Sequence, residues 1–144
     1  MEPNDPSVDD ADGSQSAFYY FADALSILAD TPENQCRRMG DHNVAWELHI
    51  DVLAGRYPYI KHVLTKEEEL ELAPLFRALD QLPRERLTSG LGQALNLAAM
   101  SHSAWVPIRR LATELLQRLQ PAIERNRVAL GLSAKQPNHR LERP

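Results

Sequence analysis

Residues 41–55 read DHNVAWELHIDVLAG, and this stretch decides the class of fold. Its apolar side chains recur every three or four positions, the spacing that makes one face of an α-helix apolar. They fall into two rows: Val44, Leu48 and Val52 in one, and Trp46, Ile50 and Leu53 in the other. Asp41 is typical of a helix start, and Gly55 is typical of a helix end. We expect a helix with two apolar rows to lie near the centre of a helical bundle.

The same spacing continues upstream of this stretch. Ser16 is predicted to cap a helix that ends near Asp30, because apolar residues recur at helical intervals between them. Thr31-Pro32 then fits an N-cap followed by proline at the first helical position. The short helix that begins there should end at Gly40.

Downstream, Thr65-Lys66-Glu67-Glu68 fits a capping box and predicts the start of another helix. Pro74 removes one internal hydrogen bond, so this helix should bend. Further apolar runs predict helices over residues 87–98 and 108–119, and a last helical segment that ends at Gly131. The sequence therefore predicts an all-α fold, an irregular antiparallel bundle of five to seven helices.

Both ends of the chain have the composition of unfolded segments. Residues 1–15 hold five carboxylates and two prolines, and residues 132–144 hold two prolines and several basic side chains. Such segments bury too little apolar surface to offset the entropy that ordering costs. We predict a disordered acidic arm over 1–15, a helical domain over 16–131 and a flexible, mildly basic tail over 132–144.

Composition and charge argue against several classes of partner. The formal net charge is −4 and the basic residues are dispersed, so the chain has no basic stripe for nucleic acid. Its apolar stretches are much shorter than the ~20 residues of a membrane helix. Cys36 is the single cysteine and the first residues are acidic, without the basic and apolar regions of a secretory signal. We expect a cytoplasmic protein that contacts neither nucleic acid nor membrane.

No pattern of residues predicts catalysis, a metal site or a cofactor site. His42 and His49 are seven positions apart, whereas metal ligands on one helix converge at spacings of three or four. Cys36 precedes two arginines, but no base is placed beside it. His102 and Trp105 stand at a junction between two helices, where they could line a pocket, although a helix corner with an aromatic plug fits them better. We predict a protein without enzymatic activity, metal or cofactor.

Four residues are candidates for contact with a protein partner: Glu47 and Asp51 on one helix, and Tyr57 and Tyr59 in the connection that follows. The two carboxylates are four positions apart on one polar stripe, where like charges repel by a few tenths of a kcal/mol. They are either paired within the chain or presented to a basic partner. The tyrosines are either pinned to the core or offered as anchors at an interface. We predict that these four residues contact a protein partner.

Two short stretches carry a resemblance to known proteins: Asn43–Leu48, NVAWEL, and Asn96–Trp105, NLAAMSHSAW. With them in view, the chain resembles small helical bacterial proteins, some of which are similar to the immunity proteins encoded beside secreted antibacterial toxins. The resemblance implies a compact acidic protein that binds and neutralises a toxin. In the simplest case the toxin has a basic domain. No functional residue is carried over from it. The alternative function is that of a regulatory or scaffold protein that self-associates, as a homodimer in its simplest form.

Overall fold

The computed structural model describes residues 6–56, 60 and 62–132, with side chains from Gly13 onward. These residues form α-helices, short 3₁₀ turns and connecting loops, without strands, which confirms the predicted all-α helical bundle. The helices are α1 (Pro6–Leu28), α2 (Pro32–Met39), α3 (Val44–Leu53), α4 (Lys66–Leu70), α5 (Ala73–Asp80), α6 (Gln93–Met100), α7 (Val106–Arg118) and α8 (Gln120–Ala129). The 3₁₀ turns are Ala54–Arg56, Arg84–Arg86 and Ser103–Trp105.

Helix α1 forms the centre of the bundle. It packs against α2, α3, α7, α8 and the turn Ala54–Arg56. Phe18, Phe21, Leu25 and Leu28 are each at most 2% exposed. The alanines between these residues are buried as well, so α1 is buried nearly all round over residues 21–28, as is typical of a central helix. The prediction that the helix of residues 41–55 is central was therefore wrong, and that helix, α3, packs against one side of α1.

The first helix begins ten residues earlier than we predicted. Helix α1 starts at Pro6 and passes through Ser16 without a break, so residues 6–15 are helical and not a disordered arm. Ser14 is buried, and Nδ2 of Asn126 in α8 donates a hydrogen bond to the carbonyl oxygen of Gln15 at 2.9 Å. These contacts with α8 could not be foreseen from local composition. Residues 1–5 and 133–144, where the rest of the predicted arm and nearly all of the tail fall, lie outside the described residues.

The predicted helix starts at Thr31 and Thr65 are confirmed. The hydroxyl oxygen of Thr31 accepts a hydrogen bond from the amide of Asn34, and Thr65 and Glu68 form the complete capping box. The bend predicted at Pro74 is instead a break over residues 71–72, which separates α4 from α5. Pro74 falls in the first turn of α5, where the missing N–H has no intrahelical partner to lose.

Gly55 has a different role from the predicted helix stop. The chain continues beyond α3 into the turn Ala54–Arg56, and Gly55 lies within it. A Cβ atom at this position would be 2.6 Å from two ring carbons of Phe21 and 3.1 Å from Cζ of Phe76. The residue is glycine because the turn approaches α1 too closely for any side chain.

The buried side chain of Asn96 holds two loops together. One loop, residues 40–43, precedes α3, and the other, residues 89–92, precedes α6. Nδ2 of Asn96 donates to the carbonyl oxygens of Asp41 (2.9 Å), Gly92 (2.8 Å) and Gly90 (3.2 Å). Oδ1 accepts from the amide of Val44 and the hydroxyl of Ser89, both at 2.8 Å. We call this arrangement the Asn96 clamp; it fixes the N-terminal ends of α3 and α6 relative to each other.

Candidate functional site

Helix α3 buries one of its two apolar rows and exposes most of the other. Val44, Leu48 and Val52 are 0% exposed. Trp46 is 41% exposed and Ile50 is 45% exposed, while Leu53 is half-buried against the core. The second row borders solvent because α3 lies at the side of the bundle and not at the centre, where we expected it.

The exposed part of α3 brings together residues of two chemical kinds. Trp46 and Ile50 are four positions apart and so lie one turn above the other on the same face. Glu47 is exposed next to them, and Asp51, one turn further along, is partly exposed. We call these four residues the α3 surface. Aromatic side chains are enriched in the cores of protein–protein interfaces, whereas polar residues lie at their rims.

The ring of Trp46 packs against His49, with 5.6 Å between the ring centroids. His49 is half-buried, and among the described residues its Nδ1 has no hydrogen-bond partner. Burial lowers the pKa of His49, an effect that Arg56 adds to and that the Asp80 carboxylate partly offsets. The imidazole is therefore a neutral support for the indole ring at neutral pH.

Arg56 and Asp80 fix the position of the turn that follows α3. Their side chains form an ion pair, which lowers the pKa of Asp80. The guanidinium carbon of Arg56 also lies 5.9 Å from the ring centroid of Phe76. These contacts tie the C-terminal end of α3 to α5, so the α3 surface is anchored at one end by this pair and at the other by the Asn96 clamp.

Of the four predicted contact residues, the structure describes two. Glu47 and Asp51 both belong to the α3 surface. Tyr57 and Tyr59 lie outside the described residues, so their role at an interface stays a prediction. Sequence reasoning missed Trp46 and Ile50, since helical spacing alone does not say which of two apolar rows meets the core. The adjacent carboxylate Glu47 was the one local signal that this row borders solvent.

The other candidates take structural positions. Nδ1 of His102 accepts a hydrogen bond from the amide of Ala104 at 3.0 Å, and Trp105 is completely buried, with no hydrogen-bond partner for its Nε1 among the described residues. Cys36 is 3% exposed, and burial, together with the carboxylates of Asp41 and Glu33, raises the pKa of its thiol. Within the described part of the chain, no group of three or more histidine, cysteine or acidic side chains is arranged to hold a metal ion.

None of the described helices combines the length and the apolar character needed to cross a membrane. Comparisons of the chain with protein-family models, with curated proteins and with solved structures found no match.

Proposed function

We propose that this protein acts by binding another protein through the α3 surface, and that it does not catalyse a reaction. The observation that carries the proposal is the exposure of Trp46 and Ile50 on a helix whose opposite face is completely buried. Single exposed apolar residues are common on protein surfaces, but an exposed tryptophan with an isoleucine one turn away forms a small contiguous apolar patch. Tryptophan is also among the residues that most often dominate the binding energy of an interface.

The anchoring of α3 supports this use of Trp46. Its ring rests on the half-buried His49, and both ends of the helix are fixed by hydrogen bonds or an ion pair to other elements. A side chain already held in place loses little conformational entropy when a partner covers it. The patch is therefore preorganised for binding.

The carboxylates of Glu47 and Asp51 indicate the charge of the partner. They stand beside the apolar pair on a chain of net charge −4. A basic surface would be drawn to this face, and complementary charges at the rim raise the rate of association. We therefore propose a partner with an apolar pocket for Trp46 and basic residues around it.

The most concrete form of this function is that of an immunity protein. Such a protein would bind a cognate antibacterial toxin in the bacterial cytoplasm and cover its active site or its substrate-binding surface. The α3 surface supports this form, because an exposed tryptophan beside carboxylates on an acidic chain suits a toxin with a basic domain.

The partner can be sought by capture on the immobilised protein, followed by mass spectrometry. Trp46→Ala removes the proposed anchor, and Tyr20→Ala, which truncates an aromatic residue that is 59% exposed on α1, is the matched control. A true partner is retained by the wild type and by Tyr20→Ala and is lost from Trp46→Ala. A neighbouring gene that encodes a secreted toxin would supply the first purified protein to test.

Charge reversal then tests the carboxylates. The double variant Glu47→Lys/Asp51→Lys should weaken the complex at low salt and reduce its dependence on salt concentration. Glu114→Lys/Glu124→Lys changes the net charge equally at exposed positions of α7 and α8 and should have a smaller effect. A dissociation constant that the first double variant leaves unaltered at low salt would remove Glu47 and Asp51 from the interface.

A further inference from the structure

The chain contains one long segment without Asp, Glu, Lys or Arg. A quarter of all residues are Asp, Glu, Lys or Arg, yet none of these four occurs from Leu87 to Ile108. Part of this segment is core, where charge is not expected. The exposed face of α6 also belongs to it, and a helix face in contact with water normally carries charged residues.

One exposed side of α6 is apolar. Leu91, just before the helix, is 65% exposed, and Leu95 is 60% exposed. Ala94 and Ala98 are exposed between and beyond them, and the spacing of 94, 95 and 98 places these side chains on one face. We call Leu91, Ala94, Leu95 and Ala98 the α6 surface.

The backbone under the α6 surface is fixed. Gly90 and Gly92 have φ angles of +69° and +98°, which other residues rarely adopt, and both carbonyl oxygens accept hydrogen bonds from Asn96 in the clamp. Gly90 and Asn43 are joined by two further hydrogen bonds. A Cβ atom at Gly90 would be 3.5 Å from Cδ1 of Leu95, so Leu95 rests on this loop. The exposed leucines thus stand on a rigid base, which lowers the entropic cost of burying them in a contact.

We propose that the α6 surface is a two-fold contact between two copies of this chain. The absence of charged side chains supports a second copy of the chain as the partner that covers the α6 surface. The net charge of the chain is −4, and the α3 surface with Glu47 and Asp51 would bring like charges together if it were paired with itself. The α6 surface has no charged side chain, so its pairing with itself brings no like charges into direct contact.

The alternation of large and small side chains on the α6 surface also supports a second copy of the chain as its partner. In a two-fold contact each residue of one copy meets a residue of the other, and the relation is reciprocal. Two α6 helices that run antiparallel can place the leucines of each copy over the alanines of the other, which lets the helices approach closely. The four residues form a small area, so we expect a weak dimer at the low end of interface sizes.

This proposal does not rest on the proposed function, since the two surfaces are distinct sets of residues and their contacts respond differently to salt. An uncharged contact between negatively charged chains should be maintained or strengthened as salt rises, because salt screens their mutual repulsion. The complex with a basic partner at the α3 surface should be weakened by salt. Either proposal can therefore fail while the other stands.

Sedimentation equilibrium over a range of concentrations tests the dimer. The wild type should show reversible dimerisation, and Leu95→Glu should raise the dissociation constant at least tenfold, because it places two carboxylates in the contact. Val128→Glu adds the same charge at a residue that is 68% exposed on α8 and should dimerise nearly as the wild type does. Far-ultraviolet circular dichroism should show that all three proteins are equally helical.

Three outcomes would overturn the proposal. The first is a wild-type protein that remains monomeric up to about 1 mM, where even a marginal contact is half formed. The second is a dimer that persists unchanged in both Leu91→Glu and Leu95→Glu. The third is a dimer that Trp46→Ala disrupts and Leu95→Glu does not, since the two-fold contact would then involve α3.

Discussion

Asn96 uses both ends of its side-chain amide to hold the two loops of the clamp. The side chain is completely buried, and its oxygen accepts the hydrogen bond of the first amide of α3. That amide has no partner within its own helix, as is usual for the first turn. The side chain therefore acts as a cap supplied by a residue 52 positions away.

Replacement of Asn96 by alanine should lower the free energy of unfolding by about 3 kcal/mol or more, because it leaves several buried polar groups without partners. Urea denaturation measures this loss. Gln93→Ala, at an exposed position of the same helix, should change the stability little beyond the effect of helix propensity. A loss of less than about 1 kcal/mol in Asn96→Ala would mean that the clamp does not hold the loops.

His49 should make the stability depend on pH between neutral and mildly acidic conditions. Burial lowers the pKa of His49 in the folded state, whereas the unfolded chain has the ordinary value near 6.5. The unfolded chain therefore takes up the proton first, and stability falls as the pH drops through about 6.5 toward the folded pKa. In His49→Gln this part of the pH profile should be flatter. Urea denaturation at pH 7.5 and 5.5 gives the free energy of unfolding of both proteins. An equal loss of stability between these pH values in the wild type and in His49→Gln would contradict the assignment of this pH dependence to His49.

The two tryptophans show what residue type can and cannot predict. Trp105 is completely buried and Trp46 is 41% exposed, although both stand among apolar neighbours in the sequence. The capping box at Thr65 and Glu68 was predictable because it depends on neighbouring residues alone. The burial of a tryptophan depends on which helix lies across from it, and a single helix does not contain that information.

At the scale of elements, the approach of one backbone to another limits the choice of residue. The turn Ala54–Arg56 packs so closely on α1 that Gly55 lies against the ring of Phe21. Gly13, by contrast, is an exposed glycine within α1, where an added Cβ would have no atom within 4 Å. The same substitution should therefore have opposite effects at the two positions.

Gly55→Ala should destabilise the protein by about 1–3 kcal/mol, because Phe21 must leave its position in the core or the turn must move away. Gly13→Ala should stabilise it by about 0.5–1 kcal/mol, because alanine favours the helix. Thermal or urea denaturation of both variants gives the comparison. A neutral Gly55→Ala would show that the turn is not held against α1.

The starts of helices could be predicted better than which of their faces are buried. The starts of α2 and α4 were clear from Thr31 and Thr65, whose side chains cap locally. The start of α1 was missed because local composition does not show long-range contacts such as the hydrogen bond from Asn126 in α8 to the carbonyl oxygen of Gln15, 111 positions away. The exposed row of α3 was missed for the related reason that α1, and not α3, occupies the centre of the bundle.

At the scale of the whole molecule, charge distinguishes the two exposed apolar surfaces. The α3 surface combines Trp46 and Ile50 with carboxylates, whereas the α6 surface lies in a segment without Asp, Glu, Lys or Arg. Salt should therefore weaken partner binding at the first and leave self-association at the second intact. The absence of charge from Leu87 to Ile108 was visible in the sequence, but only the fold separates the part of that segment that is core from the part that is surface.

The most direct test of the binding function is the calorimetric titration of the captured partner with wild-type protein, Trp46→Ala and Tyr20→Ala. If Trp46 is the central anchor, Trp46→Ala should weaken binding by about 30-fold or more, a loss of about 2 kcal/mol, and Tyr20→Ala should bind as the wild type does. Equal dissociation constants for the wild type and Trp46→Ala would contradict the assignment of the α3 surface as the site of binding.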